Sequence, residues 1–361
     1  MNICFFAGNM GDCGGTEKMT QLLANELCKY EENRIFVLSK TNIKETSVFD
    51  LDDRITYSNL DNDRYVRVFS LIKDIFLLIK YIRENKIDIL INVDVSLGVF
   101  SLPLKILRPQ LKQIFWEHFC VLYNINNKRT NKIRKYALKS ADEYVVLTPQ
   151  DKAELAKFCK VKTEIVNIPN ICAFDAQNDA YNTESKTIIS VGHIINVKGF
   201  DMAIDVASKV FSKHSDWCWE IYGTGTEEAK LKERVNALSL EKNLKFMGRA
   251  DSVSDLYKKS AIYVLTSRSE GFGLVLIEAQ AHNLPTVAFD VPFGPQNIID
   301  HGINGYLVEP FDVEKMAECI CELIENEELR KSFSDVANKD LYKYKASEIA
   351  EQWQTMLNKI K

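Results

Sequence analysis

The chain has 361 residues, which is longer than one hydrophobic core usually extends, so we expect two domains of about 150 to 200 residues each. Apolar residues make up 46% and charged residues 27% of the chain, as in ordinary globular proteins, and the formal net charge of -4 gives no bulk attraction to nucleic acid. The 9 cysteines include no Cys-x-x-Cys pair, which favours a reduced, cytoplasmic setting, and no apolar run reaches the roughly 20 residues of a membrane span.

Short β-branched or aromatic runs alternate with longer amphipathic runs from the start of the chain. This alternation is typical of parallel strands joined by helical crossovers. The strands predicted in the first half are Ile3 to Ala7, Ile35 to Ser39, Ile87 to Asn92, Gln113 to Glu117 and Glu143 to Leu147.

The first predicted strand leads into the glycine-rich turn GDCGGTEK. Gly14 and Gly15 would let a phosphate or a sugar approach the backbone at the start of the helix that follows. The alternative is a plain strand-to-helix turn, because the spacing differs from the Gly-x-Gly-x-x-Gly fingerprint of dinucleotide binding.

Two acidic runs follow, DLDD from Asp50 to Asp53 and DND from Asp61 to Asp63. Their Asp-x-Asp spacing can hold a divalent cation. Neither run follows a cleanly ending strand, so we interpret both as solvated loop acids and expect no metal site.

Basic residues cluster in two segments of the first half. The segment DRYVRVFSLIKDIFLLIKYIRENK predicts an apolar-faced helix, and NNKRTNKIRKYALK contains no acid. Such helices can lie on anionic lipid, and the alternative is a core-packed helix with a solvated face. The basic residues concerned are Arg64, Arg67, Lys73, Lys80, Arg83 and Lys86 in the first segment and Lys128, Arg129, Lys132, Arg134, Lys135 and Lys139 in the second.

The fourth predicted strand ends in the run IFWEHF, which places Glu117 and His118 at its carboxyl end. A lone histidine is often a hydrogen-bonded core residue, and a functional role for His118 comes only with the family resemblance that follows.

The polar run IPNICAFDAQNDAYNTESK shows almost no periodicity and predicts a linker around residues 168–186. The alternation then restarts. The strands predicted in the second half are Thr187 to Val191, Trp217 to Tyr222, Leu244 to Met247, Ala261 to Thr266 and Pro285 to Phe289. We therefore expect two doubly wound α/β domains, residues 1–168 and 187–345, that face each other with a ligand between them at the carboxyl ends of their strands.

The stretch SRSEGFGLVLIEAQAHNLPTVA combines two carboxylates with a glycine-rich helix start. Glu270 follows a strand, and GFGLVLIEAQAHN predicts a helix that Asn283 and Pro285 stop. The amides and dipole of that helix start would favour an anion. Glu278 lies eight residues on, at most about 12 Å along the axis, a span that suits a nucleotide diphosphate-sugar. The approachable amides belong to Gly271, Phe272, Gly273 and Leu274.

Both carboxylates also have simpler explanations. Glu270 could cap its own helix, a contribution of about 0.3 to 1 kcal/mol. Glu278 could be an exposed helix residue, although its apolar neighbours indicate a mostly buried helix in which an unpaired charge is costly. Lys198, just before Gly199 and another predicted helix, could reach phosphate oxygens or remain a solvated lysine.

These residues resemble a known family. The run from Glu270 to Glu278 resembles the Glu-x7-Glu signature of retaining glycosyltransferases of family 4, and other blocks fit in order. They are CGGTEKMTQLLANEL, SVGHIINVKGFDMAIDVA, IYGTGTEEAKL, MGRADSVSDLYKKSAIYVLTS and FGPQNIIDHGINGYLVEP. The similarity is nearly continuous over residues 187–310 and scattered before them.

The resemblance implies the GT-B fold, with two facing Rossmann-like domains and an interdomain cleft. The first domain would bind the acceptor and the second the nucleotide-sugar, and a helix at about 346–361 would pack back on the first. The implied activity is metal-independent, cofactor-free transfer of a hexose, with retention, from a UDP-sugar to a glycan or polyprenyl-linked acceptor. It would take place in bacterial polysaccharide synthesis at the inner face of the cell membrane.

The resemblance also implies roles for single residues. Lys198 would neutralise the leaving diphosphate, Glu270 would orient the donor sugar and Glu278 would bind ribose hydroxyls. His118 would be an active-site histidine beside the donor sugar. The donor site would further include Gly14, Gly15, His193, Gly223 and Arg249, besides the four residues from Gly271 to Leu274. The family usually has an arginine where this chain has His193.

Two other functions remain open at this point. A sugar-nucleotide epimerase can have the same fold, but it would need further acid and base carboxylates. A catalytically silent subunit that binds a partner transferase is the second alternative, because His193 replaces a fork of charged donors with a single neutral one.

Overall fold

The structure is a computed structural model that describes residues 1–12, 14–41, 50–60, 70–122, 126–158, 160–177, 181–250 and 252–361. The acids Asp61 to Asp63 and the basic residues Arg64 and Arg67 lie outside the described residues. The chain divides into two compact units, Met1–Ile171 with Tyr344–Lys361, and Cys172–Lys343. None of the helices in the described ranges is long and apolar enough to cross a membrane.

The first unit is built on a seven-stranded sheet whose paired strands are all parallel, in the order β3-β2-β1-β4-β5-β6-β7. The interior strand β1 reads NICFFA and is buried over residues 3–7, as expected for a parallel strand covered on both faces. The strands are β1 Asn2–Ala7, β2 Arg34–Ser39, β3 Thr56–Asn59, β4 Ile89–Asn92, β5 Lys112–Trp116, β6 Glu143–Val146 and β7 Glu164–Asn167.

The first unit contains seven α-helices in the described residues, and one of them is the last helix of the chain. The helices are α1 Gly15–Leu27, α2 Ser70–Glu84, α3 Gly98–Ser101, α4 Leu104–Leu107, α5 Lys128–Ser140, α6 Pro149–Phe158 and α13 Ala346–Ile360. The Asn127 side chain caps α5 by accepting hydrogen bonds from two backbone amides. Helix α13 packs on α1, and its Gln354 accepts a hydrogen bond from Asn33 at 2.7 Å.

The second unit has a six-stranded parallel sheet in the order β10-β9-β8-β11-β12-β13. Its strands are β8 Thr187–Val191, β9 Cys218–Tyr222, β10 Leu244–Gly248, β11 Ile262–Leu265, β12 Thr286–Phe289 and β13 Gly305–Val308. Its helices are α7 Phe200–Phe211, α8 Glu228–Ala237, α9 Val253–Lys259, α10 Leu274–Ala281, α11 Val313–Glu325 and α12 Glu327–Ala337. Helices α7 and α11 pack together and bury one apolar side each.

All ten strands predicted from the sequence are present, with ends within two residues of the predicted ones. Strands β3, β7 and β13 were not predicted from the sequence. The predicted linker, residues 168–186, contains the boundary between Ile171 and Cys172, and most of it belongs to the second unit.

Candidate active site

The strand order of the second unit defines a topological switch point between β8 and β11. From β8 the chain continues to β9 on one side, whereas from β11 it continues to β12 on the other. The two connections therefore diverge and leave a crevice at the carboxyl ends, where open α/β sheets bind ligands. Lys198 follows β8 and Glu270 follows β11.

Lys198 and Glu270 form an ion pair at this switch point. The Lys198 Nζ lies 2.7 Å from Glu270 Oε1. Ser267 donates a hydrogen bond to the same oxygen at 2.6 Å. The side chains are 21% and 9% exposed, respectively, so the lysine keeps some contact with solvent while the glutamate is nearly buried.

Gly199 lets the two loops approach each other. Its φ of 65° is in the left-handed region, and a Cβ at this position would overlap the carbonyl oxygen of Thr266. The Thr266 hydroxyl donates to the carbonyl of Lys198 at 3.1 Å. The backbone around Lys198 is thus packed directly against the end of β11.

Helix α10 begins at Leu274, so the predicted helix start at Gly271 is wrong. Gly273 precedes the helix as its N-cap and has a φ of 95°, a left-handed conformation that only glycine adopts easily. No side chain caps this end of the helix. Gly271 and Phe272 therefore belong to the loop. Gly294, in the loop after β12, packs against that loop, because a Cβ there would lie 3.0 Å from the carbonyl oxygen of Phe272.

Glu278 is a half-buried residue of α10. The buried Tyr257 hydroxyl donates to its Oε2 at 3.4 Å. Burial, aided by the charge of Glu278, raises the pKa of Tyr257 well above its ordinary value, so the phenol stays a hydrogen-bond donor. His282 Nδ1 lies 2.8 Å from the Glu278 carbonyl oxygen, and this contact anchors the end of the helix.

The other predicted donor residues of the second unit lie at the same edge of the sheet. His193 is exposed in the loop after β8, and Arg249 is exposed directly after β10. Gly223, after β9, has a φ of 146°, and a Cβ there would overlap the carbonyl oxygen of Gly192. Its glycine identity is therefore explained by the close packing of two backbone loops.

Gly14 and Gly15 lie at the start of α1, after β1 of the first unit. Gly14 is the N-cap with an extended backbone, and no side chain hydrogen bond caps it. The half-buried carboxylate of Glu17 folds over it closely enough to leave no room for a Cβ. Burial raises the pKa of Glu17 while the helix amides oppose this change. This acid was not predicted as a site residue. An anion bound at the turn would compete with the Glu17 carboxylate for the start of α1.

His118 is buried at the carboxyl end of β5, with its ring centroid 4.2 Å from that of Trp116. Its Nε2 has no hydrogen-bond partner among the described residues. Burial lowers the pKa of His118 to about 3, so the imidazole is neutral near pH 7. The buried Nε2 is therefore left unsatisfied, which a fully hydrogen-bonded core histidine would avoid.

Glu117 has a different environment from its neighbour. It lies 3.0 Å from the buried Arg134 and accepts a hydrogen bond from the Tyr144 hydroxyl at 2.6 Å. These contacts fix a buried pair inside the first unit, and Arg134 is consequently not part of a solvated basic face.

The acidic run from Asp50 to Asp53 contains an internal ion pair. Asp52 Oδ1 lies 2.8 Å from Arg54 Nε. This hydrogen bond holds the pKa of the Asp52 carboxyl well below its ordinary value. In the described parts of the chain, no three His, Cys, Asp or Glu side chains come together as a metal site would require.

Two open parallel sheets with polar residues at their carboxyl edges are typical of enzymes that bind nucleotides, and the fold is GT-B. Sucrose-phosphate synthase from Thermosynechococcus elongatus superposes with a TM-score of 0.87 at 18% identity, over 100% of this chain and 99% of that one. Anabaena HepE in complex with UDP gives a TM-score of 0.82 at 17% identity, over 99% of this chain and 100% of that one.

Sequence comparison identifies the family. Residues 174–340 match the model of glycosyl transferases group 1. An uncharacterized glycosyltransferase of Haemophilus influenzae is 35% identical over 361 residues, 98% of this chain and 99% of that protein. The amylovoran biosynthesis glycosyltransferase AmsD of Erwinia amylovora is 27% identical over 357 residues, 97% of each chain. The chain belongs to the group 1 glycosyl transferases.

Proposed function

We propose that this chain is a retaining hexosyltransferase of family 4 that needs no metal ion or other cofactor. Its donor is a UDP-sugar and its acceptor is a hydroxyl of a glycan or polyprenyl-linked oligosaccharide in bacterial polysaccharide synthesis. The 2.7 Å pair of Lys198 and Glu270 beside the uncapped start of α10 carries this proposal. The names of AmsD and of the UDP complex of HepE support the pathway and the nucleotide.

The diphosphate of the donor would lie at the start of α10. Helix N-termini bind anions through free amides and the positive end of the dipole. Lys198 is half-buried at this edge, and its ammonium adds a full positive charge. Two sources of positive potential that need no metal ion thus serve the same phosphate oxygens. His193 and Arg249, both exposed at the edge, would bind the outer phosphate oxygens.

The two glutamates would hold the two sugars of the donor. Glu270 Oε1 accepts from Lys198 and Ser267, whereas its Oε2 accepts no hydrogen bond from the described residues. We assign Oε2 to a hydroxyl of the transferred hexose. Glu278, supported by the neutral Tyr257, would accept the ribose hydroxyls.

The chemical step would be stabilised electrostatically. As the bond between the anomeric carbon and the phosphate oxygen breaks, negative charge grows on the leaving diphosphate, and fixed donors at that position lower the barrier. We assign no covalent nucleophile. The acceptor oxygen would attack from the face that the diphosphate leaves, with a donor phosphate oxygen taking its proton, so that the configuration is retained.

The first unit would supply the acceptor side. Its neutral His118 has an unpartnered Nε2 and can hydrogen-bond a sugar hydroxyl without adding charge. Gly14 and Gly15 would admit the donor to the start of α1, with Glu17 moving aside.

We also propose that the first unit contacts the inner face of the membrane from the cytoplasm. Ile72 and Phe76 of α2 are 72% and 70% exposed, and Ile106 of α4 is 80% exposed. The basic Lys80 and Arg83 lie on α2 as well. Apolar side chains edged by basic ones suit an anionic lipid surface, where a polyprenyl-linked acceptor would be found.

The donor class is tested with a panel of UDP-sugars, scored by UDP release in the presence of a candidate acceptor and EDTA. We expect turnover with one UDP-hexose, unchanged by EDTA, and an anomeric configuration in the product equal to that of the donor. Loss of turnover in EDTA would contradict metal independence, and an inverted product would contradict the assigned mechanism.

A further inference from the structure

A second ion pair joins the loops that carry Lys198 and Glu270. The guanidinium of Arg268 donates from Nη1 and Nη2 to the two carboxylate oxygens of Asp201, at 2.8 and 2.6 Å. This two-bond geometry is specific to arginine and fixes the relative orientation of the two groups. Asp201 is in the first turn of α7, and Arg268 is in the loop between β11 and α10.

Arg268 also binds the backbone of the turn that presents Lys198. Its Nη1 donates to the Asn196 carbonyl at 2.7 Å. Its backbone N–H donates to the Val197 carbonyl at 2.7 Å. One residue of the β11–α10 loop therefore holds the two residues before Lys198 and, through Asp201, the helix that follows it.

These contacts address a problem that donor binding creates. In the structure the Lys198 ammonium pairs with Glu270. A bound diphosphate competes for that ammonium, so the pair alone cannot keep the two loops in register during the reaction. The contacts of Arg268 do not involve the Lys198 or Glu270 side chains, so a change of partner by Lys198 does not by itself break them.

We propose that Arg268 and Asp201 are positioning residues for the transfer reaction. They hold the backbone of Lys198 beside that of Glu270 while the lysine side chain moves from the carboxylate to the donor diphosphate. This inference rests on the proposed function, because it assigns the diphosphate to Lys198. The hydrogen bonds from Arg268 lower the pKa of the Asp201 carboxyl, so the carboxylate stays ionised as the acceptor of both bonds.

The chain provides a matched control for the test. Asp205 lies one turn further along α7 and pairs with Arg234 of α8. Its side chain is 40% exposed, compared with 39% for Asp201. Asp205→Asn thus removes an ion pair from the same helix and leaves Arg234 in place, which also donates to the Asp201 carbonyl at 3.0 Å.

The test compares kcat and the donor KM of Asp201→Asn, Arg268→Lys and Asp205→Asn. Displacing a catalytic group by about 1 Å can cost roughly 100-fold in rate, so we expect kcat to fall about 10- to 100-fold in the first two variants, with a smaller change in KM. Asp205→Asn should keep the parental kcat. If Asp201→Asn and Asp205→Asn behave alike, the positioning role is wrong.

A double-variant comparison separates positioning from a general structural effect. If Asp201 acts through Lys198, Asp201→Asn should lower kcat little further in a protein that already carries Lys198→Ala. In a protein that carries Glu278→Ala, the same substitution should lower kcat by its full factor. If Asp201→Asn lowers kcat by its full factor in the Lys198→Ala protein as well, the inference is overturned. If Lys198→Ala itself transfers sugar like the parent, the proposed function fails instead, so the two failures are distinguishable.

Discussion

The Glu270 carboxylate is bound on one side by Lys198 and Ser267 through a single oxygen. The family resemblance supplied Glu270 and Lys198 separately, but it could not supply their direct contact. They are 72 residues apart, and they meet only because β11 pairs with β8. Ser267, Arg268 and Asp201 were missed for the same reason: the sequence contains polar residues in a turn, but their partners follow from the order of the strands.

His118 provides a test at this scale. Its folded pKa of about 3 lies below the ordinary 6.5, so the neutral form is favoured in the fold. This contribution to stability is present above pH 6.5 and is lost as the pH falls towards 3, at up to about 1.4 kcal/mol per pH unit. We expect the free energy of unfolding of the parent to fall more steeply over this range than that of His118→Asn, as measured by urea denaturation. Sugar transfer should also drop in the variant.

Equal pH dependence of the parent and His118→Asn would show that the imidazole of His118 titrates normally in the fold.

At the level of helices and strands, the three missed strands share a position. Strands β3, β7 and β13 are all at the edges of their sheets. Central strands such as β1 are buried on both faces and read as apolar runs, whereas β3 reads TYSN and none of its residues is fully buried. The start of α10 was misplaced by three residues because Gly273 and Gly271 look alike in sequence, and only the left-handed backbone of Gly273 marks the boundary.

Helix α2 provides the test at this scale. Phe76→Ser removes an exposed aromatic side chain and should weaken co-sedimentation with vesicles that contain anionic lipid, by several-fold, since the apolar area buried in the lipid falls. Phe311→Ser, an exposed phenylalanine of the second unit, is the control and should bind like the parent. Equal binding by all three proteins would contradict the membrane contact of α2.

At the scale of the whole chain, the length predicted two domains, and the alternation of strands and helices predicted the class of fold. The return of the last helix to the first unit could not be read from periodicity, because α13 buries an ordinary apolar side. It was implied only by the family resemblance. In the structure, Tyr344–Lys361 belongs to the first unit. The ring centroids of Trp353 and Trp116 lie 5.0 Å apart.

Binding and activation of the UDP-sugar are proposed to depend on Lys198 and Glu270 together. The most direct measurement is kcat/KM for the donor in Lys198→Ala and Glu270→Gln, with folding checked by thermal denaturation. Lys186→Ala, which removes an exposed lysine paired with Asp216 before β8, is the control. We predict a loss of about 100- to 1,000-fold in the first two variants and no loss in the control. Folded Lys198 and Glu270 variants with the parental kcat/KM would contradict the account.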